Sequence, residues 1–293
     1  MTFLMDTIKG ILIGIANIIP GVSGGTMAVS LGIYDKLIAS VSGLLKDWKK
    51  SLSVLFPIVL GCGIGIVGFT YIIEYLLSRH TFITCMAFTG LILGGIPVLV
   101  SSLKKELVKT SSRIGFSGAA AFALLFCVAV FLPMMNAEDE VLKTFTASFG
   151  TMAALFFVGV IASATMVIPG VSGSLVMMIL GYYYGIINTI KSFLDSLKAF
   201  DVPGLIHGFA LLVPFGIGVL LGIFLIAKLI TFLFEKFGIQ TYCAILGLII
   251  ASPFAIFYNT GALRQLPSLG ILPVAAGLVL ALVFGFVTYR LGK

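Results

Sequence analysis

Long apolar stretches separated by short polar loops run along most of this chain. Six of them hold about 20 residues, the length that a helix needs to cross the hydrocarbon core of a bilayer. They lie near residues 54–77, 82–102, 114–134, 205–230, 241–259 and 269–289. The pattern therefore predicts an all-α integral membrane protein.

One polar break interrupts the apolar pattern twice. Ile-Pro-Gly-Val-Ser-Gly occupies residues 19–24 and returns at residues 168–173, 149 positions later. Proline and glycine leave backbone groups that lipid cannot satisfy, so a repeated break indicates a functional role. The run before the first copy, 8–19, is too short to span and predicts a re-entrant hairpin. The run before the second copy, 145–168, is long enough either to cross fully or to re-enter.

Weaker similarities follow the motifs in the same order along the chain. Residues 31–34 resemble 180–183, Pro57 with Gly61 and Gly63 resembles Pro214 with Gly216 and Gly218, and residues 90–97 resemble 247–253. We therefore divide the chain into 1–140 and 141–293, each a re-entrant helical hairpin plus about three spans, which together form one membrane domain. Three crossings per half make the second half an inverted copy of the first, as in many secondary transporters.

Composition and charge agree with a membrane protein and give it an orientation. Hydrophobic residues make up 60% of the chain and charged residues 10%, against about 25% charged in soluble domains. Lysine and arginine favour cytoplasmic loops, and the predicted topology of two re-entrant motifs and six spans places most of them on the cytoplasmic side, among them Lys46, Lys104 and Arg113. Both termini are thus predicted to be cytoplasmic. The net charge of +7 follows from this topology, and no nucleic-acid partner is expected because the basic residues do not gather on one face.

A helix that restarts after each break presents free amide groups and the positive end of its dipole, which together attract an anion. Serine and threonine hydroxyls there cap the helix or donate to the ligand, and glycines let it approach the backbone. The candidate ligand residues are Asn17, Pro20, Gly21, Ser23, Gly24, Gly25 and Thr26 in the first motif, and Pro169, Gly170, Ser172, Gly173 and Ser174 in the second. Met166 stands where the first copy has Asn17, so a site that uses Asn17 is asymmetric. Close helix packing is the alternative explanation of these small residues.

Residues 14–26 and 163–174 resemble the paired signatures of a prokaryotic polytopic family, long known only as a domain of unknown function. That family is associated with the translocation of polyprenyl phosphates such as undecaprenyl phosphate. The resemblance implies that the chain returns this lipid carrier of cell-wall and envelope polysaccharide synthesis from the outer to the inner leaflet of the cytoplasmic membrane. Its partners would be the lipid and the bilayer, and we expect no enzyme activity, metal or cofactor.

Three charged residues outside the motifs are further candidates. Arg79 and Arg264 fall in short outward loops, where they could capture a phosphate head group. Snorkelling of the arginines to interfacial water explains them equally well. Glu74 is a candidate for coupling to protons or another ion, with a plain ion pair to Arg79 as the alternative. Assembly into a homo-oligomer stays open.

Two other functions compete with lipid transport. A small-anion channel or exchanger could use the same opposed helix ends. An intramembrane polyprenyl-pyrophosphate phosphatase would share re-entrant inverted repeats and a Pro-Gly-x-Ser signature. The phosphatase signature carries arginine beside its serine, whereas Gly24 and Gly173 fill those positions here. No cluster of carboxylates or histidines lies nearby in the sequence to supply a nucleophile and base.

Overall fold

Helices form almost every element of the computed structural model, which describes residues 3–19, 22–135 and 145–292. The first half contains α1 (Phe3–Ile18), α2 (Gly24–Ser30), α3 (Tyr34–Ser42), α4 (Trp48–Arg79), α5 (Thr81–Leu93), α6 (Ile96–Lys109), α7 (Phe116–Phe131) and a 3-10 turn at Leu132–Met134. The second half contains α8 (Phe149–Val167), α9 (Gly173–Ile179), α10 (Tyr183–Ala199), α11 (Val202–Thr260), a 3-10 turn at Ala262–Ser268 and α12 (Ile271–Gly292). These ranges include no strand, so the predicted all-α class is confirmed.

Six helical stretches of the described residues are long and apolar enough to cross a membrane. They are Trp48–Arg79, Thr81–Lys109, Phe116–Met134, Phe149–Val167, Val202–Thr260 and Ile271–Gly292. Many of their apolar side chains are exposed, such as Val67 and Leu282, and in a bilayer these side chains face lipid. The helix before the second motif, α8, is among the six, whereas α1 has only 16 residues and is short of a full crossing.

Two predicted spans are merged in α11, and a third is broken. α11 has 59 residues, which at about 1.5 Å per residue is far longer than one crossing. Its backbone leaves helical geometry at Phe237, with φ −133° and ψ 44°, between the predicted spans 205–230 and 241–259. The predicted span 82–102 is interrupted where α5 ends and α6 begins, at Gly94 and Gly95. The hydropathy pattern separated the two spans of α11 because a polar stretch lies between them. It missed the break between α5 and α6 because hydropathy reports apolar length and not backbone angles.

The order of elements repeats across the two motifs. α2 and α9 each have seven residues and begin 149 positions apart, directly after Ser23 and Ser172. Two residues after the end of each helix comes a glycine with positive φ, Gly32 at 67° and Gly181 at 73°, a conformation that residues other than glycine rarely adopt. A 106° bend separates α9 from α10, which is the geometry of a broken or re-entrant segment. The inverted orientation of the second half stays a prediction.

By packing, the chain forms two compact units. The first unit contains Met1–Met134, Ile168–Val171 and Ala227–Lys293, and the second contains Met135–Val167 and Ser172–Ile226. Both use glycine for close helix contact. In the first unit, an added Cβ at Gly61 would collide with the Thr7 carbonyl of α1. In the second, an added Cβ at Gly218 would collide with the Phe156 carbonyl of α8. At these positions the glycines therefore do allow close helix packing, the alternative explanation of the small residues. The division of the chain at residue 140 rests on sequence repeats and stays a prediction.

Candidate functional site

The first motif is organised around the beginning of α2. Ser23 has extended backbone angles, and its Oγ accepts a hydrogen bond of 3.1 Å from the Thr26 amide. This is the N-cap that the sequence predicts. Ser23 Oγ also lies 2.9 Å from Thr26 Oγ1, so the two hydroxyls form a pair. Pro20 and Gly21, which we also proposed as ligand residues, lie outside the described residues.

Asn17 covers the first amide of α2. Its Oδ1 accepts from the Gly24 amide at 3.0 Å, and its Nδ2 donates to the Ile13 carbonyl at 3.1 Å. An added Cβ at Gly24 would lie 2.7 Å from Asn17 Nδ2, so glycine is needed for this close approach. The Asn17 carboxamide therefore occupies a position where an anion could accept the same amide proton.

The two motif copies meet at Thr26. Its side chain is fully buried, and its Oγ1 accepts a hydrogen bond of 2.6 Å from the Gly170 amide. Gly170 has a φ of 78°, in the left-handed region that favours glycine. Pro169 and Gly170 belong to the first unit together with Thr26. Residues 144 positions apart in the chain are thus in direct contact.

The second motif has less internal hydrogen bonding around its helix start. Ser172 occupies the N-cap position of α9 but makes no side-chain cap bond. Its Oγ lies instead 2.9 Å from Ser174 Oγ, and both serines are half-buried. Gly173 is buried, and an added Cβ there would collide with the side chain of Met166, which replaces Asn17 in this copy. The serine hydroxyls of the second motif are therefore not committed to capping.

The segments that carry the two candidate arginines contact each other in the first unit. Arg79 ends α4 and Arg264 lies in the 3-10 turn that precedes α12, and both are exposed. Next to them, Gln265 Nε2 donates to Thr81 Oγ1 at 3.3 Å. The segments that hold Arg79 and Arg264, which we predicted to face outward, therefore lie side by side. Glu74 is also exposed, and among the described side chains it forms no ion pair with Arg79.

Sequence reasoning missed a buried charged cluster on α1. Asp6 and Lys9 are 4% and 0% exposed, although they lie on an otherwise largely apolar helix. Asp6 Oδ2 accepts from Lys36 Nζ of α3 at 2.8 Å, and Lys9 Nζ donates to the Leu31 carbonyl at 2.9 Å. The signal was available, because two charges three positions apart on an apolar helix share one face.

Two small cavities lie away from the motifs. One, of about 50 Å³, is lined by residues that include Asp35 and Tyr242, whose hydroxyl donates to Asp35 Oδ2 at 3.1 Å. The other, of about 130 Å³, lies in the second unit and is lined by residues that include Ser192 and His207. No group of histidine, cysteine or acidic side chains able to hold a metal ion occurs within 3–19, 22–135 and 145–292.

Comparison with known proteins gives one family match and two similar proteins. Residues 13–268 match the family model described as VCA0040-like, undecaprenyl phosphate translocase-like. The chain is 30% identical over 287 residues to a polyprenyl-phosphate transporter of Staphylococcus aureus, covering 97% of this chain and 96% of that protein. It is 31% identical over 215 residues to a polyprenyl-phosphate transporter of Vibrio cholerae, covering 68% of this chain and 65% of that protein. No solved structure matches significantly.

Proposed function

Because the chain belongs to the VCA0040-like, undecaprenyl phosphate translocase-like family, we propose that it transports polyprenyl phosphate across the bacterial cytoplasmic membrane. Transport is the named activity of both curated relatives. The six apolar helical stretches give the chain the membrane scaffold that such an activity needs. The inward direction, which would recycle the carrier for cell-wall and envelope polysaccharide synthesis, is part of the proposal.

The contact between Thr26 and Gly170 is the observation that supports a phosphate site at the motifs. The motif occurs twice, and its two copies meet through a buried hydrogen bond, which supports a role for it in ligand binding. We propose that Ser23 and Thr26 in the first motif, and Ser172 and Ser174 in the second, donate to phosphate oxygens. Gly24, Gly25, Gly170 and Gly173 keep Cβ atoms out of the path to the backbone.

Hydroxyl and amide donors solve the main physical problem of lipid-phosphate transport. The isoprenoid tail stays in lipid, but an isolated phosphate in hydrocarbon is very unfavourable. Ser23 and Thr26 already hydrogen-bond each other, and Asn17 already covers the Gly24 amide. In our proposal the incoming phosphate takes over the Gly24 amide from Asn17 and accepts from the hydroxyls. Because Ser23 and Thr26 are buried in this conformation, the head group reaches them only when the hairpin opens.

The two arginines fit an earlier step of the same pathway. Both are exposed, neither is in an ion pair among the described residues, and their segments are in contact. We propose that Arg79 and Arg264 attract the phosphate head group at the outer face before it enters the protein. This role depends on the predicted orientation, with both termini in the cytoplasm.

A flipping assay in liposomes tests the proposed substrate. The purified full chain is reconstituted with a fluorescent short-chain polyprenyl phosphate, and the label exposed in the outer leaflet is measured over time. We expect rapid exchange of polyprenyl phosphate between leaflets and no exchange of the neutral polyprenol, because the motif supplies donors for a phosphate.

Exchange no faster than in empty liposomes, with and without an imposed proton gradient, would contradict lipid-phosphate transport. Flux of inorganic phosphate or chloride in the same vesicles would then support the small-anion channel or exchanger. Release of inorganic phosphate from polyprenyl pyrophosphate by the purified chain would support the phosphatase. Our proposal expects neither activity.

A further inference from the structure

α1 buries two ionisable side chains on one face. Asp6 is 4% exposed and Lys9 is fully buried. Burying a charge is unfavourable unless partners replace its water, so such groups are rare at membrane depth and are functional candidates by default. Neither side chain has a role in the phosphate site proposed above.

The hydrogen bonding of Asp6 is incomplete. One carboxylate oxygen, Oδ2, accepts from Lys36 Nζ at 2.8 Å. The other, Oδ1, is buried and has no hydrogen-bond partner among the described residues. A buried carboxylate oxygen that lacks a partner is a strong acceptor, and a proton would satisfy it without any rearrangement of the neighbouring helices.

From this geometry we propose that Asp6 is the proton-binding site that couples lipid-phosphate transport to the proton gradient, an inference that rests on the proposed function. Asp6 Oδ1 takes a proton from water on one side of the membrane and forms a neutral carboxylic acid. The Lys36 ammonium keeps its own proton, leaves Oδ2 and turns to water, which its side-chain exposure of 35% allows. Loss of the proton to water on the other side restores the carboxylate and the Asp6–Lys36 pair.

The surroundings of Asp6 favour a proton over a metal ion. The charged groups that face it are the ammonium groups of Lys9 on α1 and Lys36 on α3, and both repel a metal cation. On the neighbouring turns of α1, α4 contributes Ile58 and Gly61, which do not titrate, and Leu31, directly after α2, contributes its carbonyl. A metal ion requires several oxygen ligands, whereas a proton requires one.

Lys9 links this site to the first motif. Its Nζ donates to the carbonyl of Leu31, the C-cap residue that directly follows α2, and Ser23 is the N-cap at the other end of α2. The helix between them has seven residues and is about 10 Å long. A change of charge at Asp6 alters the electrostatic field at Lys9 and thereby the strength of the hydrogen bond from Lys9 Nζ to the carbonyl at the C-terminal end of α2. A proton that moves with the phosphate also offsets the negative charge carried inward against an inside-negative potential.

The test compares flipping rates with and without a pH gradient in liposomes that contain the full chain and fluorescent polyprenyl phosphate. The wild type should flip several-fold faster when the side on which the lipid starts is acidic. Asp6→Asn removes the titrating group at constant size, so its two rates should be equal. Asp6→Glu keeps a carboxyl group and should keep the stimulation. Asp195→Asn is the matched control, because Asp195 also pairs with a lysine, Lys198, but at the exposed surface.

Each outcome separates the inference from the proposed function. If the wild-type flipping rate is the same with and without the pH gradient, the inference is overturned and the proposed transport function stands. If the wild type does not flip the lipid at all, the proposed function itself is overturned. Full gradient stimulation in Asp6→Asn also overturns the inference. If Asp6→Asn and Asp6→Glu both fold, as judged by thermal unfolding, and both lose the stimulation, Asp6 is only a structural partner of Lys36.

Discussion

At the scale of single residues, the buried Thr26 hydroxyl has two hydrogen-bond contacts. It pairs with the Ser23 hydroxyl, and it accepts from the Gly170 amide of the second motif. The backbone amide of Thr26 separately donates to Ser23 Oγ, which caps α2. The equivalent place in the second motif holds Leu175, which has no hydroxyl. The two motifs are therefore similar in backbone and different in side-chain chemistry. The contact between them is asymmetric, because a hydroxyl of the first motif accepts from an amide of the second and Leu175 has no hydroxyl to form the equivalent bond.

Replacement of this hydroxyl gives the first stability prediction. Thr26→Val keeps the side-chain volume but leaves the Gly170 amide without an acceptor, and a buried donor left unpaired costs about 1–3 kcal/mol. We expect the free energy of unfolding to fall by about that amount, measured by thermal unfolding in detergent. Thr151→Val is the control, because Thr151 pairs with Ser148 at the same 2.9 Å but accepts no distant amide. Equal stability of the two variants would contradict the role given to Thr26.

The site residues were only partly predictable from the sequence. The Ser23 cap could be predicted because it depends on residues three positions apart. The contact from Thr26 to Gly170 and the pair from Asp6 to Lys36 could not, because folding brings these residues together from distant positions. Arg79, Arg264, Glu74 and the motif serines remain proposals about ligand binding and coupling.

At the scale of elements, pairs of helices approach closely through glycine in both units. α1 lies against Gly61 and Gly65 of α4, and α8 lies against Gly218 and Gly222 of α11. In each pair the first glycine comes four positions after a proline, Pro57 or Pro214. Without a Cβ atom the backbones come into van der Waals contact, which is a main source of helix association in lipid.

Two neighbouring glycines of α4 test this packing. Gly61→Val would collide with the Thr7 carbonyl of α1, whereas Gly63 has nothing within 4 Å of an added Cβ. We expect Gly61→Val to lower the midpoint of thermal unfolding in detergent and Gly63→Val to leave it close to the wild type. The two variants carry the same change in helix propensity and side-chain size. A similar midpoint for both would show that the α1–α4 contact does not depend on Gly61.

The elements were more predictable than the site. Each of the six predicted spans lies in a helical stretch that is long and apolar enough to cross, whereas the run that forms α8 was left open between crossing and re-entering. The repeat predicted that α2 and α9 would be equivalent, and both begin directly after their serine. The sequence comparison had paired Gly61 with Gly216, but the contacts pair Gly61 with Gly218. The sequence alone could not show whether Gly216 or Gly218 is equivalent to Gly61, because it does not show which glycine faces a neighbouring helix.

At the scale of the whole molecule, transport of a lipid phosphate requires a polar path for the head group while the tail stays in lipid. In our proposal the motif hydroxyls and amides, the two arginines and the Asp6–Lys36 pair serve successive parts of that path. Capture at Arg79 and Arg264 would come first, binding at the motifs second, and proton exchange at Asp6 would accompany the passage. An inverted second half would let the same motif open to either side.

The flipping rate of a double motif variant tests the central claim most directly. Ser23→Ala with Ser172→Ala removes one proposed phosphate donor from each motif, and each lost hydrogen bond to a charged group is worth about 1.5–3 kcal/mol. We predict a loss of polyprenyl-phosphate exchange of at least about tenfold. Ser148→Ala is the matched control, because Ser148 accepts from the Thr151 amide as Ser23 does from Thr26 but lies outside the motifs. Exchange by the folded double variant at the rate of Ser148→Ala would contradict phosphate binding by the paired motifs.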